Sequence, residues 1–215
     1  MRDDIKAVIF DLDGVLCSTD QFHFMAWKSI SDKYDLQFDY RINDRLRGVS
    51  RMASLDLILQ NSGKTMSQEE KGRIAAEKNA VYRELLSELN PDNLLSSVKK
   101  TMNTLRDSGL LLAVGSSSRN TLYILDRLGL SGYFDAVADG TDITRSKPDP
   151  EVFLKAAAKL NVDPHLCAVV EDAAAGITAA KAAGMFAIAY DGDAAGCGLE
   201  DASIESFSEL IGLLL

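Results

Sequence analysis

Short unbroken apolar runs alternate along this chain with longer stretches of helical period. Ala7 to Phe10, Leu110 to Val114, Cys167 to Val170 and Phe186 to Tyr190 are apolar throughout, with a weaker run from Phe134 to Ala138. Continuous rather than alternating runs of this length predict buried strands of a parallel sheet. The stretches between them end in helix punctuation. Residues 92 to 108 run into Gly109, and residues 173 to 183 stop at Gly184, a C′ signal. Asp149 followed by Pro150 predicts an N-cap with proline at the first helical position. Strand and helix alternating through short joins predict an α/β sheet with right-handed crossovers.

The rhythm breaks after the first strand. From residue 18 to 90 there are helical patterns, at 21 to 34, 50 to 61 and 67 to 89, and no convincing strand. The last of these opens on Ser67-Gln68-Glu69-Glu70, a capping box, and closes before Pro91. The predicted organisation is therefore an α/β core from residues 1–17 and 91–215, with an all-helical insertion over 18–90. An insertion joined by two chain crossings is suited to act as a lid.

Composition narrows the function. A chain of 215 residues with 47% hydrophobic and 26% charged side chains can build its own core. Acidic residues outnumber basic ones, for a net charge of −9, and a surface of that sign repels a nucleic-acid backbone. A phosphorylated small molecule remains possible where Lys, Arg or a metal supplies a local cation. Cys17, Cys167 and Cys197 form no CxxC pair and are expected as reduced thiols, with neither disulfide nor zinc. The opening MRDDIKAVIFDLD lacks the apolar run of a signal peptide, and no run approaches the roughly 18 apolar residues of a membrane span. The expectation is a cytoplasmic protein with no nucleic-acid or membrane partner.

The chemistry is expected where the strands end, because open α/β sheets bind ligands outside their carboxyl edge. The first strand delivers Asp11-Leu12-Asp13-Gly14, the second Gly115-Ser116-Ser117-Ser118-Arg119-Asn120, and the strand at 167 runs into Glu171-Asp172, while Lys147 precedes Pro148. Carboxylates gathered in one place need a divalent cation among them, and hard oxygen donors suit Mg²⁺. Helix capping could account for one of Glu171 and Asp172 but not for both. Such a set fits phosphoryl transfer. Asp11 would be the nucleophile that becomes an aspartyl phosphate, with Ser116, Lys147 and the metal neutralising the phosphoryl oxygens. Asp13, two residues on, would serve as general acid to the leaving oxygen and general base to the incoming one.

DLDG at 11 to 14, Ser116, Lys147 and the Glu171-Asp172 pair match, in order, the four motifs of the haloacid dehalogenase-like superfamily, which this chain resembles over nearly its whole length. The second Asp of DLDG is absent from the dehalogenase branch, so the resemblance implies phosphoryl chemistry. Within the superfamily the chain is similar to the β-phosphoglucomutase family through DLDGVLCSTDQFHFMAWK, RLRGVSR, GSSSRN, SKPDPEVF and VEDAAAGI. That resemblance implies interconversion of β-D-glucose 1-phosphate and D-glucose 6-phosphate through a 1,6-bisphosphate; the expectation is a Mg²⁺-dependent monomer whose partner is a sugar phosphate. It implies a distal phosphate and sugar site at Arg47, Gly48, Arg51, Ser117, Ser118, Arg119 and Asn120, and lid-hinge roles for Thr19 and His23. It places Asp11, Asp13 (through its carbonyl), Glu171 and Asp172 about the metal. Arg47 and Arg119 stand where the family has Lys, and Ser117 where it has Ala. A sugar-phosphate phosphatase in which water attacks the aspartyl phosphate is the alternative, and the core motifs do not separate the two. A non-catalytic phosphate sensor on a retained fold would require a lost catalytic position, and none is lost.

Overall fold

The computed structural model describes residues 4–46, 49–94 and 96–215. These divide into two compact units, Met1–Ser18 with Asn90–Leu215, and Thr19–Leu89.

In the first unit the apolar runs become strands. β1 (Ala7–Phe10), β2 (Leu111–Gly115), β3 (Ala136–Ala138), β4 (Cys167–Glu171), β5 (Phe186–Tyr190) and β6 (Ala202–Ile204) form, among the described residues, one sheet in the order β3-β2-β1-β4-β5-β6. Every pair is parallel, with Ala7 level with Leu111 on one side and Cys167 on the other. All four residues of β1 are buried, which is why the run carries no polar alternation. Ala7 and Ile9 pack, with Val169, against Val152, Phe153 and Ala156 of α7 (Glu151–Leu160) and Ile177 and Ala180 of α8 (Ala174–Ala182). Phe10, one step out of phase, stacks instead on Phe207, centroids 5.7 Å apart. The chain leaves β1 first toward β2 and later returns on its other side as β4, so the strand order reverses between β1 and β4. That is the crevice where such sheets place ligands.

Several boundaries differ from those expected. β2 starts at Leu111 rather than Leu110 and β3 at Ala136 rather than Phe134. The helix expected over 92 to 108 is a 3₁₀ turn (Pro91–Asn93) followed by α5 (Ser96–Asp107). At α7 it is Pro150 that occupies the N-cap. Asp149 sits one residue earlier, its Oδ1 accepting the Glu151 N–H, the two-residue reach of an aspartate turn. β6 was not expected, nor were the short helices α6 (Thr121–Arg127) and α9 (Glu209–Leu214).

The second unit is helical: α1 (Asp20–Lys33), α2 (Tyr40–Asp44), α3 (Arg51–Asn61) and α4 (Gln68–Leu86). Trp27 and Ile30 from α1, Leu55, Ile58 and Leu59 from α3 and Ile74 from α4 form its core with Leu36 and Phe38. The capping box is present as read: Ser67 Oγ accepts from the Glu70 N–H, and Glu70 accepts from the Ser67 N–H. α2 escaped the sequence reading because five residues are too few to show a helical period. Among the described residues, no helix is long and apolar enough to cross a membrane.

Candidate active site

β1 ends at Phe10, yet the Asp11 N–H still donates to Val170 O at 3.0 Å, so the first carboxylate leaves the sheet from its last paired position. Beyond it the chain does not stay extended. Gly14, at φ +84°, donates to Cys17 O, and Asp13 forms an isolated bridge with Cys17. A side chain at 14 would be strained by that backbone and would also collide, since a Cβ there would lie 2.0 Å from Asp172 Oδ2.

From β4, one sheet position away, come Glu171 and Asp172. Ligand atoms of Asp11, Glu171 and Asp172 lie within 4.8 Å of one another. Lys147, from the loop before α7, is buried against them, its Nζ donating to Asp11 Oδ1 and to Glu171 Oε1 at 2.5 Å each. The Phe153 ring lies 4.6 Å from the same Nζ. Burial opposes the ammonium, but the charges of Asp11 and Glu171 more than offset it and hold the Lys147 pKa above its ordinary value. One cation does not balance three carboxylates. Burial, and then the negative charge of Asp11 and Glu171, push Asp172 up to about 8; burial and Asp11 push Glu171 up to about 7 against the pull of Lys147. A largely buried set of hard oxygen donors with surplus negative charge, Asp172 being its partly exposed member, is what a divalent cation compensates, so these residues fit such an ion. Among the described residues, the Asp13 carboxylate is not part of this trio.

Neighbouring backbone holds the acids in place. Glu171 Oε2 accepts from the Ala173 N–H at 2.9 Å, and a Cβ on Gly176 would stand 1.9 Å from Glu171 Oε1. The Asp172 carbonyl accepts from Ala194, and Asp193 Oδ1 accepts from the Ala174 N–H. The sequence reading did not single out Phe153, Gly176 or Asp193, although the first two lie in the blocks SKPDPEVF and VEDAAAGI.

Ser116 is buried just beyond β2, its N–H donating to Ala138 O and its Oγ accepting from the Ser118 N–H. Ser118 Oγ accepts from the N–H of buried Asn120, which stands at the N-cap of α6. Arg119 is exposed and its Nε donates to Gly140 O. The Ser117 hydroxyl is buried and finds no hydrogen-bond partner among the described residues. Cys17 is buried, and burial first, then Asp13 and Asp11, raise its thiol pKa well above the ordinary value, an environment that disfavours the thiolate.

In the helical unit, buried Thr19 accepts from Tyr82 Oη at 2.9 Å, and His23 Nδ1 lies 2.7 Å from Lys78 Nζ. Burial first, then Lys78 and Arg51, lower the His23 pKa well below its usual value, which favours the neutral ring. Arg51 opens α3 and is half-buried. Arg47 and Gly48 lie outside the described residues.

The family model for haloacid dehalogenase-like hydrolases matches residues 5–184. A β-phosphoglucomutase of Bacillus subtilis (strain 168) is 45% identical over 186 residues, covering 86% of this chain and 82% of that protein. A phosphorylated carbohydrates phosphatase of Thermotoga maritima is 34% identical over 184 residues, covering 84% and 82%. A crystal structure of β-phosphoglucomutase from Clostridium difficile, 37% identical, superposes with a TM-score of 0.89 and covers 96% of this chain and 93% of that one.

Proposed function

Because the chain belongs to the haloacid dehalogenase-like hydrolase family, we propose that it works as a β-phosphoglucomutase, interconverting β-D-glucose 1-phosphate and D-glucose 6-phosphate. The observation that favours a mutase over a phosphatase is the 45% identity to the Bacillus subtilis mutase, against 34% to the Thermotoga maritima phosphatase over a similar span.

Asp11 is the nucleophile. Its carboxylate oxygen attacks phosphorus, the bond to the leaving sugar oxygen breaks, and Asp13 supplies the proton that oxygen needs. In the return step Asp13 removes the proton from the attacking sugar hydroxyl, and the phosphoryl group leaves Asp11. Two such passages, on the 1- and 6-oxygens, exchange the monophosphates through the 1,6-bisphosphate. Lys147, fixed by Asp11 and Glu171, and Ser116 provide positive charge and a donor for the non-bridging oxygens. Asp11, Glu171 and Asp172, with the Asp13 carbonyl, would hold the metal, for which Mg²⁺ suits the hard oxygen donors. When bound, that ion supplies charge to phosphoryl oxygens and to the crowded carboxylates. Ser118, Arg119 and Asn120 on the α/β unit, and Arg51 on the helical unit, are the proposed phosphate contacts distal to the reacting group.

A coupled assay tests the reading. With β-glucose 1-phosphate, Mg²⁺ and trace 1,6-bisphosphate, glucose 6-phosphate should accumulate; release of inorganic phosphate without glucose 6-phosphate assigns the phosphatase alternative instead.

A further inference from the structure

Lys78 on α4 is 1% exposed, and an ammonium buried that deeply must have its charge answered. Its Nζ lies 4.3 Å from the centroid of the Tyr82 ring, 5.2 Å from that of Trp27, and 2.7 Å from His23 Nδ1. The arrangement follows from helix periodicity. Thr19 precedes α1, with His23 and Trp27 four and eight residues on, while Lys78 and Tyr82 are four apart on α4, so one ridge of each helix meets the other. Tyr82 touches every polar member: its hydroxyl donates to Thr19 Oγ1, its ring lies against His23 with centroids 4.1 Å apart, and its face receives Lys78.

We propose that Tyr82 and Trp27 are positioning residues for phosphoryl transfer, their rings holding Lys78 as an ammonium against His23 Nδ1 so that His23 carries its proton on Nε2, while the Tyr82 hydroxyl sets the Thr19 rotamer. Aromatic faces favour the charged amine over the neutral one. An ammonium has donors and no acceptor, so the imidazole nitrogen facing it must accept, and in a neutral ring the proton then sits on the other nitrogen. Among the described residues, the charged and titratable groups seen to act on His23 are Lys78 and Tyr82 of α4 and Arg51 of α3, and none of these three is a carboxylate that would favour the opposite tautomer. The inference rests on the mutase reading and on the lid-hinge roles that the family resemblance implies for Thr19 and His23. It adds that a tyrosine and a tryptophan of the unit's interior set the donor pattern of those two residues.

The test uses the full-length protein labelled with ¹⁵N, read by long-range proton–nitrogen correlation of imidazole rings at neutral pH. The chain has 2 histidines, and His165, on an exposed turn, serves as the internal control. Wild type and Tyr82→Phe should show His23 as the Nε2–H tautomer, whereas Tyr82→Leu should show a mixture, with His165 unchanged in all three. In turnover, Tyr82→Phe is expected to lower kcat about tenfold at unchanged KM through loss of the Tyr82–Thr19 hydrogen bond, and Tyr82→Leu about a hundredfold, within the range attributed to positioned proton donors. Should Tyr82→Leu not fold, Trp27→Phe replaces it and should move the same signals by less. An Nδ1–H tautomer in wild type, an unaltered His23 signal in the ring variant, or unchanged kcat in both Tyr82 variants overturns the proposal. If wild type releases phosphate and makes no glucose 6-phosphate, the mutase reading fails by itself, and the same variants then decide the positioning role with phosphate release as the readout.

Discussion

A glycine within a helix ordinarily weakens it by up to about 1 kcal/mol relative to alanine, so an alanine at Gly176, in the first turn of α8, would be expected to stabilise that helix. The site reverses the sign. A Cβ there would stand 1.9 Å from Glu171 Oε1, and that carboxylate is tied on one side to Lys147 and on the other to the Ala173 N–H. Gly176→Ala should therefore lower the melting temperature and cut turnover at least tenfold, with melting curves and the coupled assay as the measurements; a stabilised, active variant would show that Glu171 can move. Asp11→Asn removes the attacking oxygen anion and should abolish turnover while keeping the melting transition. Incubation with a fluoroberyllate mimic should give a stable adduct with wild type and none with this variant. Asp11, Lys147, Glu171 and Asp172 were legible because each stands within a few residues of a strand end or a proline, where chain order alone predicts convergence. Gly176, Phe153 and Tyr82 were not, because their roles depend on what packs above them. A Tyr in an amphipathic helix reads as core, and only the fold reveals the lysine on its face.

Elements were legible in proportion to their length and to the uniformity of their surroundings. β1 and β5 coincide with their apolar runs, because both faces of a parallel strand are covered and every position must be apolar. β6 was missed because it is a three-residue edge strand whose central Ser203 faces solvent, leaving no run to see. α4 began at the residue its capping box indicated, since that signal is local and both bonds form within one turn. Its end was placed too late, at Leu89 instead of Leu86, because no glycine marks it. The cap makes a measurable claim at this scale. Ser67→Ala leaves the Glu70 N–H without its acceptor and should cost about 1 kcal/mol, the usual worth of an N-cap hydroxyl. For a chain of this size that is a drop of about 2–4 °C in the thermal transition, with little change in initial rate at 25 °C; an unchanged transition would mean that water caps the helix equally well.

At the scale of the whole molecule, the sheet gathers negative charge at the point where its strand order reverses, and stability and function pull in opposite directions there. Asp172 belongs to a trio of carboxylates served by one buried lysine, and burial with its acidic neighbours raises its pKa to about 8 from an ordinary value near 3.8. An acid whose folded pKa lies above its unfolded one subtracts stability progressively as the pH rises from the unfolded value to the folded one, so at neutral pH the metal-free protein already bears most of the cost of keeping this group, and all of it only above about pH 8. A divalent cation that binds only the folded chain returns that stability by mass action, and the gain grows with its concentration. Asp172→Asn removes the repulsion and a metal ligand together. Without metal the variant should melt a few degrees above wild type, given about 2–4 °C per kcal/mol for a chain of this length. Titrated with Mg²⁺, wild type should climb and overtake it while the variant stays level, and turnover of the variant should be lost throughout. A variant that melts lower than wild type in chelator, or that climbs with Mg²⁺ as wild type does, would mean that Asp172 is neither the strained member of the trio nor a ligand.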